Sequence, residues 1–208
     1  QKKSLTFGML PSIQNYLIFC YQRDGSMYEQ NNTVSGLGSA AAIDSMKQYT
    51  MLYTQYGLPI SYDFANRFRT GEIPIAIADY TQYNLLTVFA PEIKGLWGIR
   101  PVPGTVVDGE LRNTAAATVT GCAIMAQTEY PDESWKFLKW WVSAEVQSAF
   151  GKALESVVGA ASRYNTANKN AIAQAGWDKE FLTVLEYQAQ QLKAYDEVPG
   201  GYITPRLF

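Results

Sequence analysis

A chain without histidine has few ways to do covalent chemistry. None of the 208 residues is His. That removes Ser-His-Asp and Cys-His nucleophilic catalysis and every His-ligated metal site. The two cysteines, Cys20 and Cys122, are too few for a structural zinc site. Both sit in apolar contexts and are expected as buried free thiols on separate elements, a disulfide being the alternative. Carboxylates remain. A glycosidase needs two of them about 5–9.5 Å apart, and Asp63, Glu72, Asp79 and Glu92 are candidates. Glu72 and Asp79, however, lie at opposite ends of one extended run, and Glu92 follows Pro91 in a turn. The residue types that stand out are aromatic, with 14 Tyr and 5 Trp. Flat rings pack cores, and they also stack on ligands. The densest combination is Asp79-Tyr80-Thr81-Gln82-Tyr83, directly after the apolar run Ile73–Ala78. Polar and aromatic residues at the carboxyl end of a buried strand are where open α/β sheets place ligands. Capping of a core is the structural alternative for these tyrosines.

The elements that position this stretch follow from pattern. Thr70-Gly71 stops a short helix at about 61–70, with Gly supplying a positive φ. Ile73–Ala78 is expected as a buried strand. A helix carrying Leu85, Leu86, Val88 and Phe89 follows Tyr83, and Ala90-Pro91 breaks it. Upstream, Ser4–Met9 alternates as a strand. Ser12 caps a helix over 13–23, and Ser39 caps an amphipathic helix over 40–56. The polar segment 29–38 is a loop or ragged hairpin between them. Downstream, strands are expected over 96–101 and 118–126, with a hairpin turn at Asp108-Gly109. Trp97 is expected in the core. Pro131 opens a helix with a buried stripe of Trp135, Leu138, Trp141 and Val142. Of Trp140 and Trp141, adjacent on that helix, one is expected to be buried and the other at an interface. Ser143 starts another helix, a loop over 159–166 carries Arg163 and Tyr164, and Asp178 opens a last helix with Phe181, Val184, Leu185, Gln188 and Leu192 on one face. Strands alternating with helices predict an α/β fold.

Bulk properties bound the partners. Hydrophobic residues make up 47% of the chain and charged residues 17%, with a net charge of −2. Near-neutrality argues against nucleic acid or an anionic membrane. No apolar run approaches the ~20 residues that span a bilayer. The chain starts at Gln1 without Met and is read as a mature or trimmed piece.

Several stretches, in order, resemble the extracellular solute-binding proteins of ABC importers. These are Asn66-Arg-Phe-Arg-Thr-Gly-Glu, the strand to Asp79-Tyr80, Ala90-Pro-Glu-Ile-Lys-Gly-Leu-Trp, Pro101-Val-Pro-Gly-Thr, Gly121-Cys-Ala-Ile-Met, Ser143-Ala-Glu-Val-Gln and Pro199-Gly-Gly-Tyr. The nearest group is the sugar-binding, maltose-binding-protein-like one. The resemblance implies an incomplete type II periplasmic-binding-protein-like fold, since family members are roughly twice as long, as two such domains require. It divides the chain into a second-lobe segment (1–110), a return segment of the first lobe (111–175) and a final passage to the second lobe (176–208). It also implies a non-enzymatic role: capturing a sugar or oligosaccharide in an inter-lobe cleft and delivering it to permease subunits. The setting would be the cell surface, through a lipid anchor, or the periplasm. A glycoside-active enzyme and a carbohydrate-adhesion module are the alternatives. No cofactor or metal is implied. By the same resemblance, ligand contacts map to Ser12, Tyr16, Asp79, Tyr80, Tyr83 and Tyr202. A fragment would expose apolar surface from 121–126 and from the Trp135–Val142 helix, and would cover it by dimerising.

Overall fold

The computed structural model describes residues 7–117 and 120–194. The chain forms two units. The first takes 1–78, 99–118 and 184–208, and the second takes 79–98 and 119–183. The crossings between the units therefore fall near 78, 98, 118 and 183.

The first unit is built on two short parallel strand pairs. β1 (Gly8–Met9) pairs with β4 (Ala76–Ile77), and β7 (Ala115–Ala117) with β8 (Leu192–Ala194). Such pairings need long crossovers, the signature of α/β architecture. Helix α1 (Ile13–Tyr21) begins where Ser12 Oγ accepts the Asn15 amide at 3.1 Å. Helix α2 (Ala40–Thr54) starts at Ser39, whose hydroxyl accepts the Ala42 amide. α1 packs against α2 and β7 around Met9, Leu17, Cys20, Met27 and Tyr49. Between the helices, β2 (Tyr28–Glu29) and β3 (Val34–Ser35) form the ragged hairpin. Helix α3 (Phe64–Arg69) is capped by Asp63 and stopped at Gly71, whose φ is +73°. Buried Gln22 ties the later segments to α1. It donates to the Pro103 and Thr114 carbonyls and accepts from Thr105. β5 (Thr105–Val107) and β6 (Glu110–Arg112) turn at Asp108-Gly109, both with positive φ as a type I′ hairpin requires.

In the second unit, α4 (Gln82–Phe89) packs on the 3-10 turn Ala160–Ser162. α5 (Pro131–Trp141) and α6 (Ala144–Val158) adjoin, and α6 also packs on α7 (Lys169–Ile172). α8 (Lys179–Gln190) follows its cap Asp178, and its residues from Val184 on belong to the first unit.

Several expectations need correction. The central strand is two residues long rather than six, and Ile75 within the expected run is exposed. Pro74 and the turn closing α3 take up the rest of that run. Residues 96–101 form no strand: Gly95, with φ +79°, turns the chain just before them, and Pro101 lacks a ladder donor. The expected 118–126 strand is instead the alanine run 115–117, and 120–126 is irregular. Leu192 leaves the last helix for β8. No residue of α5 is buried: Trp135 and Trp140 are both more than half exposed, while Trp141 is half-buried against Phe150. Both cysteines are free, but only Cys20 is buried, and Cys122 lies in the exposed irregular segment.

Candidate functional site

The stretch 79–83 sits in the second unit, at the entrance to α4. Its strand ends at Ile77, so Asp79 and Tyr80 occupy the turn that follows and Tyr83 falls in the first turn of the helix. The tyrosine ring centres an aromatic cluster. Phe181 lies 4.1 Å from it between centroids, Trp97 5.4 Å and Trp177 5.7 Å. Trp177 stacks on Phe181 at 4.7 Å and meets Tyr80 edge-on at 6.1 Å. Phe181 is buried, Tyr83, Trp97 and Trp177 are half-buried, and Tyr80 is 36% exposed. One side of the cluster is therefore core and the other faces water. Trp97 is half in this cluster rather than wholly in the core.

Polar groups fix the rings. Asp178 caps α8 by accepting the Phe181 amide at 2.8 Å, and its second oxygen accepts the Tyr83 hydroxyl. Burial of the ring, together with that carboxylate, pushes the Tyr83 phenol up to about 12. The Tyr83 hydroxyl and the Phe181 amide hold the Asp178 carboxyl below its ordinary value. Arg163 lies over the Trp177 face, its guanidinium 4.7 Å from the ring centroid. Glu155, on α6, takes it bidentately, accepting Nη2 at 2.8 Å and Nε at 3.1 Å. That bond holds the Glu155 carboxyl below its usual range. The same pair lines a cavity of about 20 Å³ with Gln147, Ser148 and Lys152, a volume for about one water and not for a sugar. Tyr80, Trp97 and Trp177 are the partly exposed rings of the cluster, and Trp177 carries Phe181 stacked at 4.7 Å and the Arg163 guanidinium over its ring.

Of the residues singled out in the sequence, Asp79, Tyr80 and Tyr83 come together here. Ser12 and Tyr16 belong to the first unit. The Ser12 hydroxyl caps α1, while its backbone amide donates to the Tyr49 hydroxyl at 2.8 Å. Tyr16 is 2% exposed and donates to the Ala42 carbonyl, and burial raises its phenol. It underlies an open groove of about 280 Å³ walled by Leu37, Ile43, Met46 and Thr50, with few polar groups to orient a ligand. Tyr202 lies outside the described residues. Trp177, Asp178, Phe181 and Glu155 were not marked by sequence reasoning as site residues. Asp178 was visible as a helix start and Phe181 as a helix-face residue. Trp177 immediately before a cap, with an aromatic four residues on, was the available signal.

Among the described residues no helix is long and apolar enough to cross a membrane. Comparison with known proteins gives one family and one fold. The family model described as bacterial extracellular solute-binding protein matches residues 1–180. The sugar-binding protein MalE from the phytopathogen Xanthomonas citri is similar in structure, with a TM-score of 0.75 at 16% identity, covering 100% of this chain and 51% of that one. An ABC transporter solute-binding protein from Thermotoga lettingae TMO, bound with alpha-D-tagatose, matches with a TM-score of 0.60 at 15% identity, covering 93% of this chain and 49% of that one. The chain thus has part of a type II periplasmic-binding-protein-like fold and spans about half the length of these structures. No curated protein matches it.

Proposed function

Since the chain belongs to the bacterial extracellular solute-binding proteins, we propose that it captures a sugar or oligosaccharide for an ABC importer and hands it to the permease subunits. The observation that carries the sugar reading is the Tyr80–Tyr83–Trp97–Trp177 surface with Arg163 and Asp79 at its rim. A sugar presents C–H patches to ring faces and hydroxyls to charged and amide side chains. Asp79, Tyr80 and Tyr83 are proposed as ligand residues, with Trp177 and Arg163 added. Ser12, Tyr16 and Tyr202 stand as proposals on family resemblance, as do the assignment of 1–110, 111–175 and 176–208 to lobes and a periplasmic or lipid-anchored surface location.

The hydrolase alternative finds little support. A glycosidase acid needs a raised pKa, whereas Asp63, one of the four carboxylates considered for it, is shifted down by the hydrogen bonds it accepts from Asn66. Calorimetric titration of the full-length protein against a sugar panel, with Trp177→Ala beside it, tests the proposal. Saturable heat without product release, weakened at least about tenfold in the variant, is the expected result. Product release would favour the hydrolase. Absence of heat with every sugar would leave an adhesion or other role.

We also propose that this 208-residue chain, taken alone, self-associates through α5. Its residues Trp135, Phe137, Leu138, Trp140 and Trp141, with Val142, cover roughly 220° of the helix at about 100° per residue, wider than a surface helix needs. Four of them are more than half exposed. At about 200 Å² per aromatic side chain, the patch is roughly 400 Å² per copy. That is about half of one partner's share in a standard interface, so the association should be weak and reversible.

A further inference from the structure

We infer that the small cavity between α6 and the 163–166 loop binds one ordered water, which links Ser148 to the polar groups around the Glu155–Arg163 pair. Three observations meet there. Ser148 is 8% exposed and lies on the cavity wall, and among the described residues its hydroxyl has no hydrogen-bond partner. A serine inside a helix can turn its hydroxyl to the carbonyl four residues back, which is that of Ala144, and Ser148 does not. A buried hydroxyl left unbonded is destabilising, so a partner from outside the chain is called for. The cavity, at about 20 Å³, has room for one water. Gly151 lines the same cavity from the interior of α6. Glycine weakens a helix interior relative to alanine, and crowding does not demand it here. An added Cβ would meet Tyr164 Cβ at 3.5 Å, an ordinary contact. The glycine keeps open a space that protein could have filled.

The chemistry of the wall selects the occupant. Glu155 accepts Arg163 once on each carboxylate oxygen, and Gln147 Oε1 accepts the Thr166 hydroxyl at 2.9 Å. Each of these oxygens keeps a second lone pair. A water can accept from the Ser148 hydroxyl and donate to two such acceptors, matching the roughly three bonds of a buried water. A cation would face the Arg163 guanidinium and Lys152, and an anion would face the Glu155 carboxylate. The water joins helix to loop, since α6 supplies Gln147, Ser148 and Glu155 and the loop supplies Arg163 and Thr166.

A high-resolution crystal structure of the full-length protein tests this. The expected result is one ordered water at about 2.5–3.0 Å from Ser148 Oγ and from an oxygen of Glu155 or Gln147. A cavity without such density, or a Ser148 hydroxyl bonded to the Ala144 carbonyl, overturns the inference. Thermal unfolding gives a second reading. Gly151→Ala improves helix propensity but crowds out the water. It should therefore raise the melting temperature less in the wild-type background than in Ser148→Ala, where no hydroxyl is left unbonded. An equal rise in both backgrounds also overturns the inference. Should any variant fold poorly, the wild-type crystal structure alone decides.

Discussion

Asp178 joins two jobs, and substitution can separate them. Its Oδ1 accepts the Phe181 amide as the cap of α8, and its Oδ2 accepts the Tyr83 hydroxyl. Asp178→Ala removes both. Loss of an N-cap costs about 1 kcal/mol. The carboxylate is exposed, so the bond to Tyr83 is screened and belongs at the low end of its class, roughly 0.5–1 kcal/mol. The sum is about 2 kcal/mol, or a fall of roughly 4–8 °C in melting temperature for a chain of this size. Asp178→Asn keeps the cap through its one amide oxygen and turns its NH2 toward Tyr83, so the charge is lost and the Tyr83 hydroxyl must change from donor to acceptor. It should lose about 0.5 kcal/mol. Tyr83→Phe removes the hydroxyl and leaves the cap, so it should fall between the two. Thermal and urea unfolding of the three variants measures the order. If Asp178→Ala lies within about 0.5 kcal/mol of wild type, or if Asn and Ala cost the same, the aspartate neither caps the helix nor holds the ring.

Phe181 is the buried floor beneath Tyr83 and Trp177. Phe181→Ala should cost about 3–5 kcal/mol in urea denaturation, and a cost under about 1 kcal/mol would mean that the cluster is not packed as described. Acid should unfold the chain late. Glu155 and Asp178 have depressed folded pKa values, so their contribution is complete above the ordinary carboxylate value of about 4 and is lost as pH falls through the depressed ones. Melting temperature should hold between about pH 8 and 5 and drop below about 4, and a decline already between about pH 8 and 6 would contradict this. At the alkaline end Tyr83, pushed up to about 12, has the opposite sign, and its contribution is lost only between about pH 10 and 12. Light scattering on the 208-residue chain should show a concentration-dependent dimer that Trp140→Glu abolishes, and a strict monomer at high concentration would disprove association through α5.

How much of this could be read from the sequence depended on how local the cause was. Ser12, Ser39, Pro131, Ser143 and Asp178 announce helix starts because a cap is settled within four residues. Asp108-Gly109 announces its hairpin for the same reason. Strands failed where their partners are remote. β4 pairs with β1 across 68 positions (76 minus 8), and β7 with β8 across 77 (192 minus 115), so no local pattern sets their lengths. The site was half legible. A polar and aromatic burst after an apolar run marked Asp79, Tyr80 and Tyr83, but the rings that complete the cluster arrive from positions 97, 177 and 181. Arg163 reads in the sequence as a lone loop cation. Its role becomes visible only once Glu155 is seen to be in reach, one turn of loop back along α6.

The same residue type serves both units, and its surroundings decide what it does. Tyr16, Tyr49 and Tyr53 lie between α1 and α2 with centroids 5.3 to 6.1 Å apart where they meet. The Tyr16, Tyr49 and Tyr53 hydroxyls donate to the backbone carbonyls of Ala42, Ser12 and Met9 respectively. Burial raises the phenols of Tyr16 and Tyr53. Those rings are struts, with each hydroxyl matched to a backbone carbonyl. Tyr83 differs in one respect, because its hydroxyl goes to a side chain that is itself anchored to a helix end. The ring is fixed without being enclosed, and Tyr80 and Trp177 beside it keep open surface. Rings held in place before binding lose little rotamer freedom on contact, so more of the stacking energy appears as affinity. On the proposed reading, that is what the cluster would offer a sugar.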